Sequence, residues 1–158
     1  MMCVHLTKNL IGFFTLMTLV SCFDKKQEFI SLDHMTFTNS YYKNDVKISF
    51  YVLIANPIAD EIELKNSIAE YVNGRLGSNK FMKDTKVHSL NFVFYKKTAN
   101  TSYFTENIES HDALNTNEIS RYKDDYIANY YVVKCDGGFT NKLYLFDRGE
   151  QVISNSCK

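Results

Sequence analysis

Residues 46–55, with the sequence VKISFYVLIA, decide the fold of this 158-residue chain. Apolar side chains recur at every second position, which is the spacing of a β-strand with one buried face. That face carries Val46, Ile48, Phe50, Val52 and Ile54. The opposite face turns polar only toward the start of the stretch, at Lys47 and Ser49. The stretch therefore predicts a strand that packs against an apolar layer.

The residues after this strand predict a helix. Asn56 can cap its start, and Pro57 suits the first helical position, where no amide hydrogen bond is lost. Apolar residues at helical spacing form one face, namely Leu64, Ile68, Tyr71 and Val72, extended by Ile62, Ala69 and Leu76. Asn73-Gly74 or Gly77 is predicted to end the helix, because glycine readily adopts the left-handed cap conformation.

The same alternation predicts the other strands. They cover residues 29–38 (with a bulge at Asp33-His34), 88–97, 126–135, 139–147 and 151–154. Asp136-Gly137-Gly138 indicates a tight hairpin, and one or two helical turns are predicted around Phe104 and Ile108. The order β-β-α-β-(α)-β-β-β predicts an α+β domain, with one main helix packed on a mostly antiparallel sheet of about six strands.

The composition indicates an ordered domain without a dominant charge. The chain has 18 Lys and Arg against 18 Asp and Glu, which argues against the clustered basic field of a nucleic-acid-binding protein. Aromatic residues make up 15% of the chain, all Tyr and Phe, and there is one proline. These features are typical of a sheet-rich domain rather than a disordered tail.

The N-terminal segment has the features of a secretory signal. An uncharged run over residues 10–20 follows Lys8. It is shorter than the roughly 20 apolar residues that span a bilayer and matches the centre of a signal peptide. The next stretch, Leu19-Val20-Ser21-Cys22, resembles the lipobox of bacterial lipoproteins. The resemblance implies cleavage between Ser21 and Cys22, a diacylglycerol on the Cys22 thiol, and an acyl chain such as palmitate on the new amine.

This resemblance implies three parts of the chain and a location. Residues 1–21 are a cleaved signal peptide, residues 22–28 a lipidated tether, and residues 29–158 a single α+β domain. The mature protein is then attached to a membrane of the bacterial cell envelope by its lipid. In the enteric sorting rule an aspartate directly after the lipidated cysteine favours the inner membrane. Phe23 occupies that position, which favours the outer membrane.

Two cysteines, Cys135 and Cys157, remain in the predicted mature domain. The oxidising envelope permits a disulfide between them. If the last three strands form a meander, however, two inter-strand spacings of nearly 10 Å separate the pair, which exceeds the reach of a disulfide. A bridge therefore requires the last residues to leave the sheet and fold back. The sequence is compatible with a disulfide between the two cysteines and with two free thiols.

Residues that commonly carry chemistry form no recognisable motif in the sequence. His34, His88 and His111 are isolated from other ligand-type residues at the spacing of a metal site. Asp124-Asp125 would point to opposite faces of a strand. We therefore predict no catalytic residue, no metal site and no cofactor.

Tyrosine is the residue type that best indicates a binding surface. Exposed tyrosines are enriched in protein-binding patches. Tyr126 and Tyr130 are predicted on one face of a strand and Tyr131 on the other. We identify these three as a candidate binding surface, with packing of the sheet against the helix as the alternative.

Three hypotheses about function follow. The first is a non-enzymatic envelope lipoprotein that binds a protein or an envelope component, and not nucleic acid. The second is an inhibitor or immunity-type lipoprotein that protects against a hostile enzyme. The third is a small hydrolase with a site assembled from distant residues.

Overall fold

A computed structural model of the protein describes residues 26–42, 45–78, 84–106, 121–146 and 148–158. They form a mixed α+β fold with one main helix and a seven-stranded, largely antiparallel sheet. The strands are β1 (Glu28–Ser31), β2 (Phe37–Tyr42), β3 (Asp45–Ala55), β4 (Val87–Lys96), β5 (Tyr126–Cys135), β6 (Gly138–Leu145) and β7 (Gln151–Asn155). The helices are α1 (Glu61–Ser78) and the single turn α2 (Tyr103–Glu106).

The sheet is built around β3 and β4. Its order is β1-β3-β4-β5-β6-β7, and β2 also pairs with β3. Strands β3 and β4 are parallel and are connected through α1, whereas the other described pairs are antiparallel. The predicted α+β class, with one main helix and a mostly antiparallel sheet, is confirmed at this level.

The first predicted strand is wrong in detail. Residues 29–38 form no single bulged strand, because a 3-10 turn at Asp33–Met35 separates β1 from β2. Leu32 and Met35 explain this break. Both side chains are buried against the sheet, and the backbone between β1 and β2 leaves the plane of the sheet to place them there. The two short strands then pair with different halves of β3, so the sheet has seven strands instead of about six.

The ends of the main helix also differ from the prediction. Asp60, and not Asn56, caps α1, since its Oδ1 accepts hydrogen bonds from the backbone N–H of Ile62 and Glu63, both at 2.9 Å. Asn56 instead has a left-handed φ of 48° and donates a side-chain hydrogen bond to the Lys26 carbonyl at 3.3 Å. At the other end, α1 continues through both predicted stop signals to Ser78.

One predicted member of the buried helix face is exposed. Ile62 has 70% of its surface accessible. It precedes Leu64 by two residues, about 200° around a helix of 3.6 residues per turn, so it faces solvent. The other predicted members of this face pack in the core, with Leu64, Ile68 and Val72 fully buried and Tyr71, Ala69 and Leu76 at its margin.

The sheet is covered on both sides, but unequally. One side packs against α1 and forms the main core, in which Phe50 and Phe92 stack with ring centroids 4.9 Å apart. The opposite side, here called the outer face, carries a smaller cluster that includes Met35, Leu53 and Phe104. Among the described residues, this cluster occupies only part of the outer face.

The structure joins Cys135 and Cys157 by a disulfide, with 5.7 Å between the Cα atoms. The chain end folds back over the hairpin turn, as a bridge requires: the Ser156 N–H donates to the Phe139 carbonyl at 2.9 Å, and the Lys158 N–H donates to the Asp136 carbonyl at 3.1 Å. Gly138 permits this approach, because a Cβ there would lie 2.3 Å from the Ser156 carbonyl oxygen.

Loss of this disulfide should destabilise the domain. The two cysteines are 22 residues apart in sequence, and closing a loop of that size contributes about 3 kcal/mol to the free energy of unfolding. We expect the double variant Cys135→Ser/Cys157→Ser to lose that amount in urea denaturation. The wild-type protein under reducing conditions is the control and should behave like the variant. An unchanged unfolding midpoint in both would contradict the bridge.

Candidate binding cavity on the outer face

The three tyrosines predicted as a binding surface lie in different environments. Tyr130 is 0% exposed within the main core, so it offers no surface. Tyr126 and Tyr131 are half-buried on the outer face. The predicted grouping is therefore wrong, and its cause is a register shift: Phe94 pairs with Ala128, but Tyr95 pairs with Tyr126. The extra residue in β5 moves Tyr126 to the face of Tyr131.

A cavity of about 280 Å³ opens on the outer face between β3, β4 and β5. It is lined by Tyr51, Asn91, Val93, Tyr95, Lys123, Tyr126 and Asn129. Lys123 comes from a 3-10 turn, Lys123–Asp125, that leads into β5. The cavity thus combines aromatic rings, two carboxamides and one exposed lysine at its edge.

The sheet register explains why the surface is concave here. Tyr51, Val93 and Asn129 lie side by side in one row across the three strands. The next row along the strands contains Leu53, Tyr95 and Tyr126. Val93 and Asn129 have short side chains compared with the tyrosines and the lysine of the lining, so a depression remains between the longer side chains.

Two carboxamides in the cavity have unsatisfied hydrogen-bonding capacity. Asn91 is only 7% exposed, and its Oδ1 has no hydrogen-bond partner among the described residues. The Oδ1 of Asn129 is likewise buried without a partner there, although its Nδ2 donates to the Tyr131 hydroxyl at 3.4 Å. Leaving a buried polar group unpaired costs roughly 1–3 kcal/mol, and such groups are uncommon in native proteins. Among the described residues, three further buried polar atoms without a partner lie outside this cavity, at Tyr71, Tyr130 and Asn141.

The outer face beyond the cavity carries a polar network. The Lys47 ammonium lies 5.2 Å from the centroid of the Tyr131 ring, which also contacts Tyr144 edge-to-face at 5.6 Å. The Tyr144 hydroxyl donates to the Glu150 carboxylate, which pairs with Lys142 at 3.0 Å. The hydrogen bond from Tyr144, followed by that from Lys142, lowers the pKa of Glu150, and the bond to Glu150 raises the pKa of Tyr144.

The acidic pair before β5 belongs to a turn that is held in place by hydrogen bonds. Asp124 and Asp125 lie in the 3-10 turn and not at the start of the strand. Asp125 Oδ2 accepts hydrogen bonds from the Thr98 hydroxyl and the Asn100 amide, both at 3.1 Å. These contacts fix the turn that carries Lys123 to the edge of the cavity.

The histidines do not converge in the described part of the chain. His34 Nε2 lies 3.0 Å from the Phe104 carbonyl oxygen, His88 is exposed, and His111 falls outside the described residues. Across those same ranges, no group of three or more His, Cys, Asp or Glu side chains is placed to hold a metal ion.

A second, wider cavity of about 610 Å³ lies between the start of the described chain and α1. Phe29 and Tyr71, which stack at 4.6 Å, form its apolar wall, and Lys26 lies at its edge. Gln27 crosses it, accepting from the Ile58 N–H at 2.8 Å and donating to the Ser67 hydroxyl at 2.9 Å. Lys26, at which the described part of the chain begins, lies beside this groove.

Burial of tyrosine side chains predicts alkaline sensitivity. Desolvation raises the pKa of Tyr71, Tyr130 and Tyr131 above the ordinary value of 10.0. A pKa raised by folding contributes stability that is complete below about pH 10 and is lost as the pH rises through the folded-state value. We expect the urea concentration at the unfolding midpoint to decrease when the pH is raised from about 9 to about 11. The decrease should be smaller in Tyr130→Phe. Tyr103→Phe, at a position that is 52% exposed, is the control. A midpoint independent of pH over this range would contradict the assignment.

The comparisons with known proteins give no relative. No protein-family model matches the chain, and no curated protein or solved structure matches it significantly. None of the helices in the described ranges combines the length and hydropathy needed to cross a bilayer. The lipobox and its Cys22 lie outside the described residues.

Proposed function

We propose that this chain is the precursor of a lipid-anchored bacterial envelope protein whose domain binds a partner through the outer-face cavity. The observation that carries the proposal is Asn91, a nearly buried carboxamide that lines the cavity with an unpartnered oxygen. An unpaired buried oxygen costs free energy in the folded state, and this cost is explained if the lining side chains move apart on binding and a ligand supplies the missing hydrogen bond. The lipobox supplies the location.

The chemistry of the lining favours binding over catalysis. Among the described residues, the cavity is lined by carboxamides, tyrosines and a valine, and the one ionised side chain there, Lys123, is exposed at its edge. Carboxamide groups hold ligands by hydrogen bonds but do not titrate near neutral pH, so they do not act as general acids or bases. The lining therefore supports a recognition site rather than a hydrolase.

The proposed tether would keep the site close to a membrane. Three residues lie between Cys22 and Lys26, where the described chain begins beside the apolar groove, so four residue steps join the two. Such a segment reaches at most about 14 Å when extended. Two or more acyl chains on Cys22 would make the attachment effectively permanent. The domain would thus meet ligands held in the envelope.

Affinity capture from detergent-solubilised envelopes tests this function. Mature wild-type protein should retain an envelope component that Asn91→Leu loses. Asn141→Leu is the matched control, because the Asn141 Oδ1 is also buried without a described partner but lies outside the cavity. Capture of the same components by all three proteins would contradict the proposed site. If all three proteins instead capture the same enzyme, the enzyme binds at a surface other than the cavity, and this result would favour the inhibitor hypothesis.

Asn91→Leu should also stabilise the domain. Leucine has nearly the same shape and removes an unpaired polar group, so we expect a gain of about 1 kcal/mol in the free energy of unfolding. For a domain of this size the gain raises the melting temperature by roughly 2–6 °C. A substitution that raises stability but abolishes binding is typical of a residue that serves function at the expense of stability. Thermal unfolding measures it, and a clear loss of stability would mean that Asn91 has a structural partner.

A further inference from the structure

We propose that the apolar groove beside α1 is the docking site of residues 23–25 of this chain, with the Phe23 ring held between β1 and α1. The groove has a volume of about 610 Å³, which is within the roughly 300–1,000 Å³ of small-molecule sites. It can therefore accommodate an aromatic ring and the backbone beside it. The inference goes beyond the proposed function, because it concerns a different surface and does not require a lipid on Cys22.

The lining of the groove is open to a further side chain. Although Phe29 and Tyr71 stack on each other, both keep part of their surface accessible, as does Ile58, and most of the accessible lining is apolar. Gly74 is exposed on the α1 side of the groove, and a Cβ added there would meet no atom within 4 Å. An apolar side chain that enters the groove would remove this apolar surface from water, which is favourable.

The described chain begins at this groove, and hydrogen bonds fix its position there. Lys26 and Gln27 both line the groove. The Lys26 carbonyl accepts a hydrogen bond from the Asn56 side chain at 3.3 Å, and the Gln27 carboxamide is hydrogen-bonded on both sides of the groove. Phe23 lies three residues before Lys26, and three residues reach at most about 11 Å. The Phe23 ring is therefore within reach of the apolar lining.

The short connection favours this segment over a separate molecule. A group that is joined to its site by a short chain meets that site at an effective concentration in the millimolar range. A second copy of the protein or a free peptide would have to reach a similar concentration in solution to compete. Phe23 is the one aromatic residue between Cys22 and Lys26, so it is the side chain of the segment that matches an apolar groove.

Charge complementarity agrees with the same occupant. Glu70 lines the groove from α1 and is exposed, whereas Arg75 in the same lining is paired with Asp33 at 2.8 Å. Lys25 in the segment has the charge opposite to that of Glu70. Exposed ion pairs contribute little to stability. We therefore assign the affinity to Phe23, and to Lys25 only the alignment of the segment.

Docking of the segment would set the orientation of the domain on a membrane. With residues 23–25 in the groove, Cys22 lies beside α1, so the proposed lipid on its thiol would keep this side of the domain at the bilayer. The outer face lies on the opposite side of the sheet from α1. The outer-face cavity would then point away from the bilayer.

Tryptophan fluorescence tests the docking, because the chain contains no tryptophan. Phe23→Trp, in protein purified in detergent, should show blue-shifted emission and several-fold weaker quenching by acrylamide than the same protein with Gly74→Leu, which fills the groove. Gly77→Leu is the matched control. Gly77 is also an exposed glycine of α1 with no atom within 4 Å of an added Cβ, but it does not line the groove. Both leucines should favour the helix, since leucine has a higher helix propensity than glycine.

Unfolding in urea provides an independent measurement. Phe23→Ala should lower the urea concentration at the midpoint in the wild-type background and in Gly77→Leu. It should have no effect in Gly74→Leu, because substitutions at one contact are not additive. Circular dichroism verifies that each variant is folded before unfolding begins.

The other outcomes would overturn the inference. An indole that is quenched equally strongly in all three proteins would leave the groove to a lipid chain or to a partner. Shielding that survives Gly74→Leu would assign it to the detergent or to another surface. Shielding that is lost on dilution would mean that Phe23 enters the groove of a second copy. None of these results depends on Asn91 or on a lipid at Cys22, so the proposed function is tested separately.

Discussion

Replacing Cys22 by serine should release the protein from the membrane fraction. A serine hydroxyl does not replace the thiol that receives the diacylglycerol, so the proposed anchor would be lost. Each acyl methylene buried in a bilayer contributes about 0.8 kcal/mol, and two long chains together make attachment effectively permanent. We therefore expect a shift from almost complete sedimentation with membranes to a soluble or uncleaved product.

Fractionation of envelopes with intact-mass measurement checks this result. The wild-type mass should exceed that of residues 22–158 by the mass of its lipid, and Cys22→Ser should lack this increment. Cys3→Ser is the matched control, because Cys3 lies in the predicted signal peptide and its loss should change neither the mass nor the partition. If Cys22→Ser stays with the membrane at the wild-type mass, the lipoprotein hypothesis is wrong.

Replacing Phe94 by alanine should cause a large loss of stability in the domain. Phe94 is 0% exposed in the main core and makes edge-to-face contacts with Phe29 and Tyr71, at 6.1 and 6.0 Å. Removing a buried phenylalanine side chain costs about 3–5 kcal/mol, through lost transfer free energy and a residual cavity. Because these contacts connect β1, β4 and α1, the variant should unfold at a much lower denaturant concentration.

Chemical denaturation of Phe94→Ala alongside Phe37→Ala measures this effect. Phe37 is 40% exposed on β2, so its replacement should cost about 0.5 kcal/mol. A similar loss in the two variants would mean that the packing between sheet and helix does not dominate the stability.

Periodicity predicted the central strands because β3 and β4 each have one apolar face along most of their length. The bounds of β5 match the prediction, and β3 and β4 match it within one residue at each end. The main failure occurred where tertiary contacts overrule local pattern. Leu32 and Met35 look like members of one alternating strand, but both pack onto the outer face from a 3-10 turn.

The cavity was beyond prediction for a related reason. Its position depends on which residues of β3, β4 and β5 share a row, and pairing register between distant strands is not encoded in any one of them. The register shift that turns Tyr126 to the outer face also depends on two strands at once. One local signal was missed: Asn91 is a polar residue inside the apolar strand 88–97, and such a residue needs a reason to be there.

Photo-crosslinking in bacterial cells tests most directly whether the outer face is the recognition surface. A photoreactive amino acid replaces Lys123, at the edge of the cavity, or Ile62, which is exposed on α1. We predict adducts with an envelope component from position 123, their loss when Asn91→Leu is added, and none from position 62. Adducts from position 62 alone, or equal adducts from both positions irrespective of Asn91, would contradict the account.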